Sequence, residues 1–307
     1  MTASGTVLYR FDPMSSCNMC GSPESAFTVL GRRLNRPQGL WPRSLAGIAT
    51  TVCRCGRCGL VFANPQPIPS NLGAHYEMPP EEYLNYNLAT VGDGYFAPEL
   101  AWLRKLMPVE AGMRALDIGA GSGLQMRAMA QHGFDAYGLE PSESFCRYAV
   151  EQTGIPAAKL QMASVESAQY PDEHFNFISF GAVLEHLYSP ASNLARALRW
   201  LKPNGLIFAE VPSARWLVSR TANLYYRLTG TDYVGNLSPM HPPFHLFEFT
   251  PQAFQLHGAL SGYEVADHRV FVCSTYLPRP FSSLASACMR LTSTGLQLCV
   301  WLRKTAR

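Results

Sequence analysis

Charge is scarce in this chain. Asp, Glu, Lys and Arg make up 15% of its 307 residues, and their near balance leaves a formal charge of +3. That is too little to hold nucleic acid or an anionic membrane by electrostatics alone. No stretch supplies the roughly twenty consecutive apolar residues that a membrane-spanning helix needs. Residues 1–16 lack the charged lead and apolar run of a secretory leader. No internal repeat is visible. These absences point to a globular protein of the cytoplasm, long enough to bury a full core and leave material for a second, smaller unit. In that reducing compartment disulfides rarely persist, so clustered cysteines are expected to bind metal or act as redox thiols.

What is present divides the chain in two. Residues 1–90 are rich in Gly, Pro and Arg and hold five of the nine cysteines. They read as a small loop-rich module and linker, which the prolines of Asn64–Pro69 leave in extended form. From Arg114 strand and helix patterns alternate, as in a parallel sheet covered by helices. Strands are predicted at 114–118, 135–140, 175–180 and 205–211, with a weaker one at 158–163, and helices at 95–108, 123–132, 142–154 and 189–202. Pro203-Asn204-Gly205 is taken to end the last of these helices. Residues 213–248 are aromatic and basic without a clear period, and they read as a lid or acceptor wall. A helix from Pro251, a strand at 263–272 and a closing strand at 295–304 complete the unit 91–307.

Cys17-x-x-Cys20 and Cys55-x-x-Cys58 form two knuckles, each followed by a glycine. Four thiolates on two such turns suit the tetrahedral arrangement of zinc. Cys53 is a competing ligand but reads better as a bystander. Cys146, Cys273, Cys288 and Cys299 fall in helix or strand patterns and are expected to pack as small apolar groups.

"LDIGAGSG" (116–123) is a strand running into a glycine turn that opens a helix. Glycines at 119, 121 and 123 allow close backbone approach to a ligand, and a helix start favours an anionic group. The dinucleotide fingerprint needs its third glycine at position 124, where Leu124 stands, so a hydride cofactor is disfavoured. Glu140 closes the next strand, where one carboxylate can accept hydrogen bonds from both ribose hydroxyls. The alternative is that it caps the following helix.

With "GLEPS", "FGAVLEHL" and "LKPNG", and further on "PPFHLFEFT" with "GYEV", residues 114–212 resemble a class I S-adenosylmethionine-dependent methyltransferase, the group that includes the ubiquinone-biosynthesis methyltransferases. The resemblance implies a doubly wound α/β sheet of seven strands, mostly parallel with the last strand antiparallel. It also implies S-adenosylmethionine as cofactor. Gly119, Gly121 and Gly123, with Ala120, would pass beneath its amino-acid part, and Asp117 would orient its ammonium group. Glu140 would hold the ribose. Adenine would lie against Pro141 and the turn Ala163-Ser164-Val165, where relatives often carry an acid. Gly181, ending the fourth strand, completes the set. The cysteine segment resembles the zinc-ribbon-like module of sugar C-methyltransferases and of polysaccharide or natural-product enzymes, in which a four-thiolate zinc would be structural.

Methyl transfer from a sulfonium needs collinear positioning and, for a hydroxyl or carbon acceptor, a general base. His186, just past the fourth strand, is the first candidate; equally, it and Glu185 could tie down a loop. His245 is the second. His241 and His245 have metal-pair spacing, but Pro242 and Pro243 forbid the helix that would align them. The expected partner is a small-molecule acceptor. An RNA acceptor reached through the ribbon and "RRLNR" (32–36), and a non-catalytic scaffold, are the alternatives.

Overall fold

The computed structural model describes residues 9–34, 49–71, 80, 94–238, 244–272 and 280–305. His241, Pro242, Pro243 and Cys273 lie outside the described residues. A seven-stranded sheet forms the centre, built from β6 (Arg114–Ile118), β7 (Asp135–Leu139), β8 (Leu160–Gln161), β9 (Phe175–Gly181), β10 (Leu201–Pro212), β12 (Tyr263–Phe271) and β13 (Gln297–Lys304). Their order is β12-β13-β10-β9-β6-β7-β8. β13 runs antiparallel to both its neighbours, while the pairs from β10 to β8 are parallel. The predicted sheet and its antiparallel last strand are therefore present.

Period-two alternation sorts the central strands into two faces. Ala115, Phe177 and Phe208 face α1 (Ala97–Leu106) and α2 (Leu124–Gln131), packing on Leu103 and Met129. Leu116, Ile178 and Ile207 face the other way, into a core shared with α4 (Pro190–Trp200), α6 (Pro251–Ser261) and the cysteine module. α3 (Glu143–Glu151) starts at Ser142, whose hydroxyl accepts from the Phe145 amide.

In the N-terminal segment β1 (Tyr9–Asp12) pairs with β5 (Gln66–Pro69), and β2 (Phe27–Leu34), β3 (Ala49–Cys55) and β4 (Val61–Ala63) form a meander. The meander takes a fourth strand from far along the chain: β11 (Phe247–Glu248) pairs antiparallel with β4. Leu60, Val61 and Phe62 are fully buried in the core shared with the large sheet.

Several expectations are corrected. α4 ends at Trp200 rather than at Pro203-Asn204-Gly205, because Leu201 already pairs with Phe175. The Pro-Asn-Gly triplet instead lies in a shift of register within β10, with Asn204 at φ 61°. Residues 213–248 are not aperiodic, since α5 (Leu217–Leu228) lies inside them. Its inward positions 219, 222, 223 and 226 have helical spacing but carry Ser, Ala, Asn and Tyr, so a search for aliphatic residues misses the period. α7 (Phe281–Thr292) was also missed; it buries Met289 and leaves Phe281, Leu284 and Leu291 exposed. Cys288 on that helix is exposed, not packed inward, whereas Cys299 is buried.

Candidate active site and metal centre

The loop between β6 and α2 lies beside the carboxyl ends of β7 and β9. Gly119, Gly121 and Gly123 have φ of 73°, 51° and 78°, a region that costs glycine least. At Gly119 a Cβ would also stand 2.5 Å from Cγ2 of Val183. Ala120 is buried, and its amide, like that of Gly119, donates to the carbonyl of Leu139, locking the loop to β7.

Glu140 is buried at the tip of β7. Its Oε2 accepts from the Gly121 amide at 2.8 Å and its Oε1 from the Ser142 amide at 2.9 Å. The carboxylate thus bridges the glycine loop and the start of α3. Pro141 follows at the surface of this corner, half-buried. The Ala163 amide donates to the Glu140 carbonyl at 3.1 Å, which sets the turn Ala163-Ser164-Val165 beside it.

Asp117 is fully buried, and its Oδ1 accepts from the Ser179 hydroxyl at 2.7 Å. Burial pushes its carboxyl up to about 7 against the opposing effect of that hydrogen bond. Ser179 was not singled out from sequence, although it is the one hydroxyl on β9. Gly181 pairs with Glu210 across β9 and β10. The next residue, Ala182, has φ 54°, a left-handed backbone that a non-glycine residue holds only at a cost of order 1–3 kcal/mol.

His186 and His245 meet. Their rings lie 4.8 Å apart between centroids at 65°, and polar atoms of Glu185, His186 and His245 fall within 4.8 Å of one another. Nδ1 of His186 lies 3.0 Å from the Phe244 carbonyl, and the Leu246 amide donates to the Glu185 carbonyl at 2.7 Å. The loop after β9 and the segment entering β11 therefore hold each other. Glu185 is buried, its Oε2 has no partner among the described residues, and burial pushes its carboxyl up to about 8.

Glu248, next along, accepts from the Asn236 amide group and the Leu237 backbone amide, each at 2.6 Å. Burial raises it to about 7. Asp117, Glu185 and Glu248 hold their protons to higher pH in the fold than a carboxyl of an unfolded chain, which titrates near 4. Their contribution to stability is complete below that value and is lost as pH rises through 7 to 8. The ligand-free protein should therefore lose on the order of 2–4 kcal/mol of stability between pH 5 and pH 8.5. Calorimetric scans across that interval check this, and a melting temperature that climbs with pH contradicts it.

The cysteine knuckles converge as their spacing predicts. Cys17 and Cys58 sulfurs are 3.5 Å apart, Cys20 and Cys55 sulfurs 3.6 Å, and all four side chains are buried. A tetrahedron of thiolates at zinc bonding distance has edges of about 3.8 Å. Both turns repeat one pattern: the Gly21 amide donates to the Cys17 carbonyl and the Gly59 amide to the Cys55 carbonyl, each at 2.9 Å. The residues present fit zinc. Cys53 is buried on β3 outside the cluster.

A glycine loop, a buried acid beside it and a carboxylate at the tip of the adjacent strand, on a sheet of this order, define a class I S-adenosylmethionine-dependent methyltransferase fold. A family model described as a methyltransferase domain matches residues 95–266, more than half of the chain, and the chain belongs to that family. It is 29% identical over 133 residues to a ubiquinone biosynthesis O-methyltransferase of Methylococcus capsulatus, covering 42% of this chain and 54% of that protein. It is 28% identical over 145 residues to the corresponding protein of Paracidovorax citrulli, covering 46% and 58%. The chain thus spans about half the length of the curated relatives it matches. Among solved structures it resembles a chain of the Haloferax volcanii complex between the Trm112 methyltransferase activator and a methyltransferase, with a TM-score of 0.52 at 14% identity over 77% of this chain and 99% of that one. An S-adenosylmethionine-dependent methyltransferase of Listeria monocytogenes gives a TM-score of 0.50 at 16% identity over 68% and 99%. These likenesses concern the fold alone.

Proposed function

We propose that the protein transfers the methyl group of S-adenosylmethionine to an oxygen or carbon of a small-molecule acceptor of the sugar, polysaccharide-precursor or natural-product class. The observation that carries this reading is the meeting of His186 and His245 at the carboxyl edge of the sheet, beyond Gly181. When bound, the cofactor supplies an electrophilic methyl group on a sulfonium whose departure leaves a neutral thioether. Glu140 holds the ribose, Asp117 the ammonium, and the loop from Gly119 to Gly123 the amino-acid part. Pro141 and residues 163–165 flank adenine. His186 takes the acceptor proton, with His245 beside it.

In this reading residues 1–90 are the zinc-ribbon-like module and linker, and residues 91–307 the catalytic unit with its acceptor wall at 213–248. Zinc on Cys17, Cys20, Cys55 and Cys58 is structural, since four thiolates leave no open position. No helix among the described residues is long and apolar enough to cross a membrane, which agrees with a cytoplasmic location. The RNA alternative loses support at its basic run: Arg32 is paired with Asp232 at 2.7 and 2.9 Å, and Arg33 is largely buried. The scaffold alternative gives no reason for an intact glycine loop, Asp117 and Glu140 together.

The test is transfer of label from methyl-labelled S-adenosylmethionine to a panel of nucleotide sugars, phenols and structured RNA. Labelling of a sugar or phenol is the expected result. Salt-sensitive labelling of RNA alone would replace this reading with its alternative.

A further inference from the structure

The sheet face beneath α1 and α2 is lined with carboxyl groups where β6, β9 and β10 end. Asp117 stands opposite Ser179, and Glu210 opposite Gly181, so by strand alternation their side chains share the face of Phe177 and Phe208. Burial above all, and then Glu99 on α1 for Glu210 and Glu140 for Asp117, raises each acid's affinity for its proton, and no lysine or arginine among the described residues offsets this. An acidic lining suits the ammonium and sulfonium of S-adenosylmethionine and repels its carboxylate. The carboxylate therefore needs a donor that is not itself an anion.

Gln125, the second residue of α2, occupies this place. It is 7% exposed, and its carboxamide packs so closely on Gly181 that a Cβ there would lie 2.7 Å from Oε1. Its Nε2 is buried and has no partner among the described residues. Folded proteins leave few buried donors unpaired, so an orphan beside a ligand loop marks a contact to be completed. Rotation about the last side-chain torsion exchanges the two ends of the carboxamide without moving the helix.

Building on the cofactor reading above, we propose that the Gln125 amide is the donor that holds the carboxylate of S-adenosylmethionine. It makes the site select for a nucleoside carrying the whole amino acid over one that lacks it.

Calorimetric titration with S-adenosylhomocysteine and with 5′-methylthioadenosine, which has no amino-acid part, tests this. Gln125→Leu should weaken S-adenosylhomocysteine about tenfold, the loss of one hydrogen bond to a charged group. Gln125→Glu, nearly isosteric, should weaken it further and serves if the leucine variant does not fold. Methylthioadenosine should bind both variants within about twofold of wild type. Unchanged S-adenosylhomocysteine affinity, or equal weakening of both ligands, would overturn the role of Gln125. Glu140→Ala should weaken both ligands; if it weakens neither, the cofactor reading falls and the Gln125 proposal with it.

Discussion

Cys58→Ser should eliminate bound metal and lower turnover about 100-fold, the scale expected when catalytic groups shift by about 1 Å, while affinity for S-adenosylhomocysteine changes less than about threefold. The reason lies in what the knuckle holds. The Cys58 carbonyl accepts from the Thr250 hydroxyl at 2.6 Å, and the same hydroxyl accepts from the Ala253 amide to cap α6. The Ala63 amide donates to Leu246 at 3.0 Å, and Phe62 pairs with Phe247. The segment carrying His245 thus runs directly into a strand of the cysteine module. Four buried thiols without their ion lose the bonds that tie the two knuckles together, and structural zinc supplies on the order of 10 kcal/mol to small folds built on such sites. The glycine loop, by contrast, is anchored to β7 and Glu140. Metal analysis, steady-state kinetics and calorimetry on one preparation measure all three quantities. Full turnover in a metal-free variant would remove zinc from the reading.

The same strand shows where sequence was informative and where it was silent. The sheet was legible because apolar runs such as 175–180 have the length and flanks of buried parallel strands, and the loop because three alternate glycines follow one of them. The cysteine tetrad could be read because two turns of fixed geometry need only meet. Sequence did not disclose the pairing of Phe247 with Phe62, since a two-residue strand has no period and its partner lies far off in the chain. α5 escaped because its inward face is built of small and polar residues. Gln125, Ser179 and Glu210 belong to no motif; they become a group only when register lines up strand ends and a helix start. Glu185 was noted beside His186, but its burial, which keeps it protonated near neutrality, is a tertiary property.

His186→Ala should reduce kcat by about 10²–10³ and leave S-adenosylhomocysteine affinity within about twofold. The geometry supplies the argument. The Phe244 carbonyl can only accept, so Nδ1 of His186, 3.0 Å away, carries the proton in the neutral ring. The basic lone pair is then on Nε2. Glu185, held neutral by burial, places no full negative charge beside the ring. A base of this kind gives kcat an acid limb that falls as the imidazole protonates, and the alanine variant should lose that limb along with the rate. A loop-tying role predicts otherwise. His186→Asn, which can still donate to the Phe244 carbonyl, would then restore turnover, whereas a missing base cannot be replaced by an amide. Comparing the asparagine and alanine variants over pH 5.5–9 separates the two: rescue by asparagine makes His186 a strut, and equal loss in both leaves it the base.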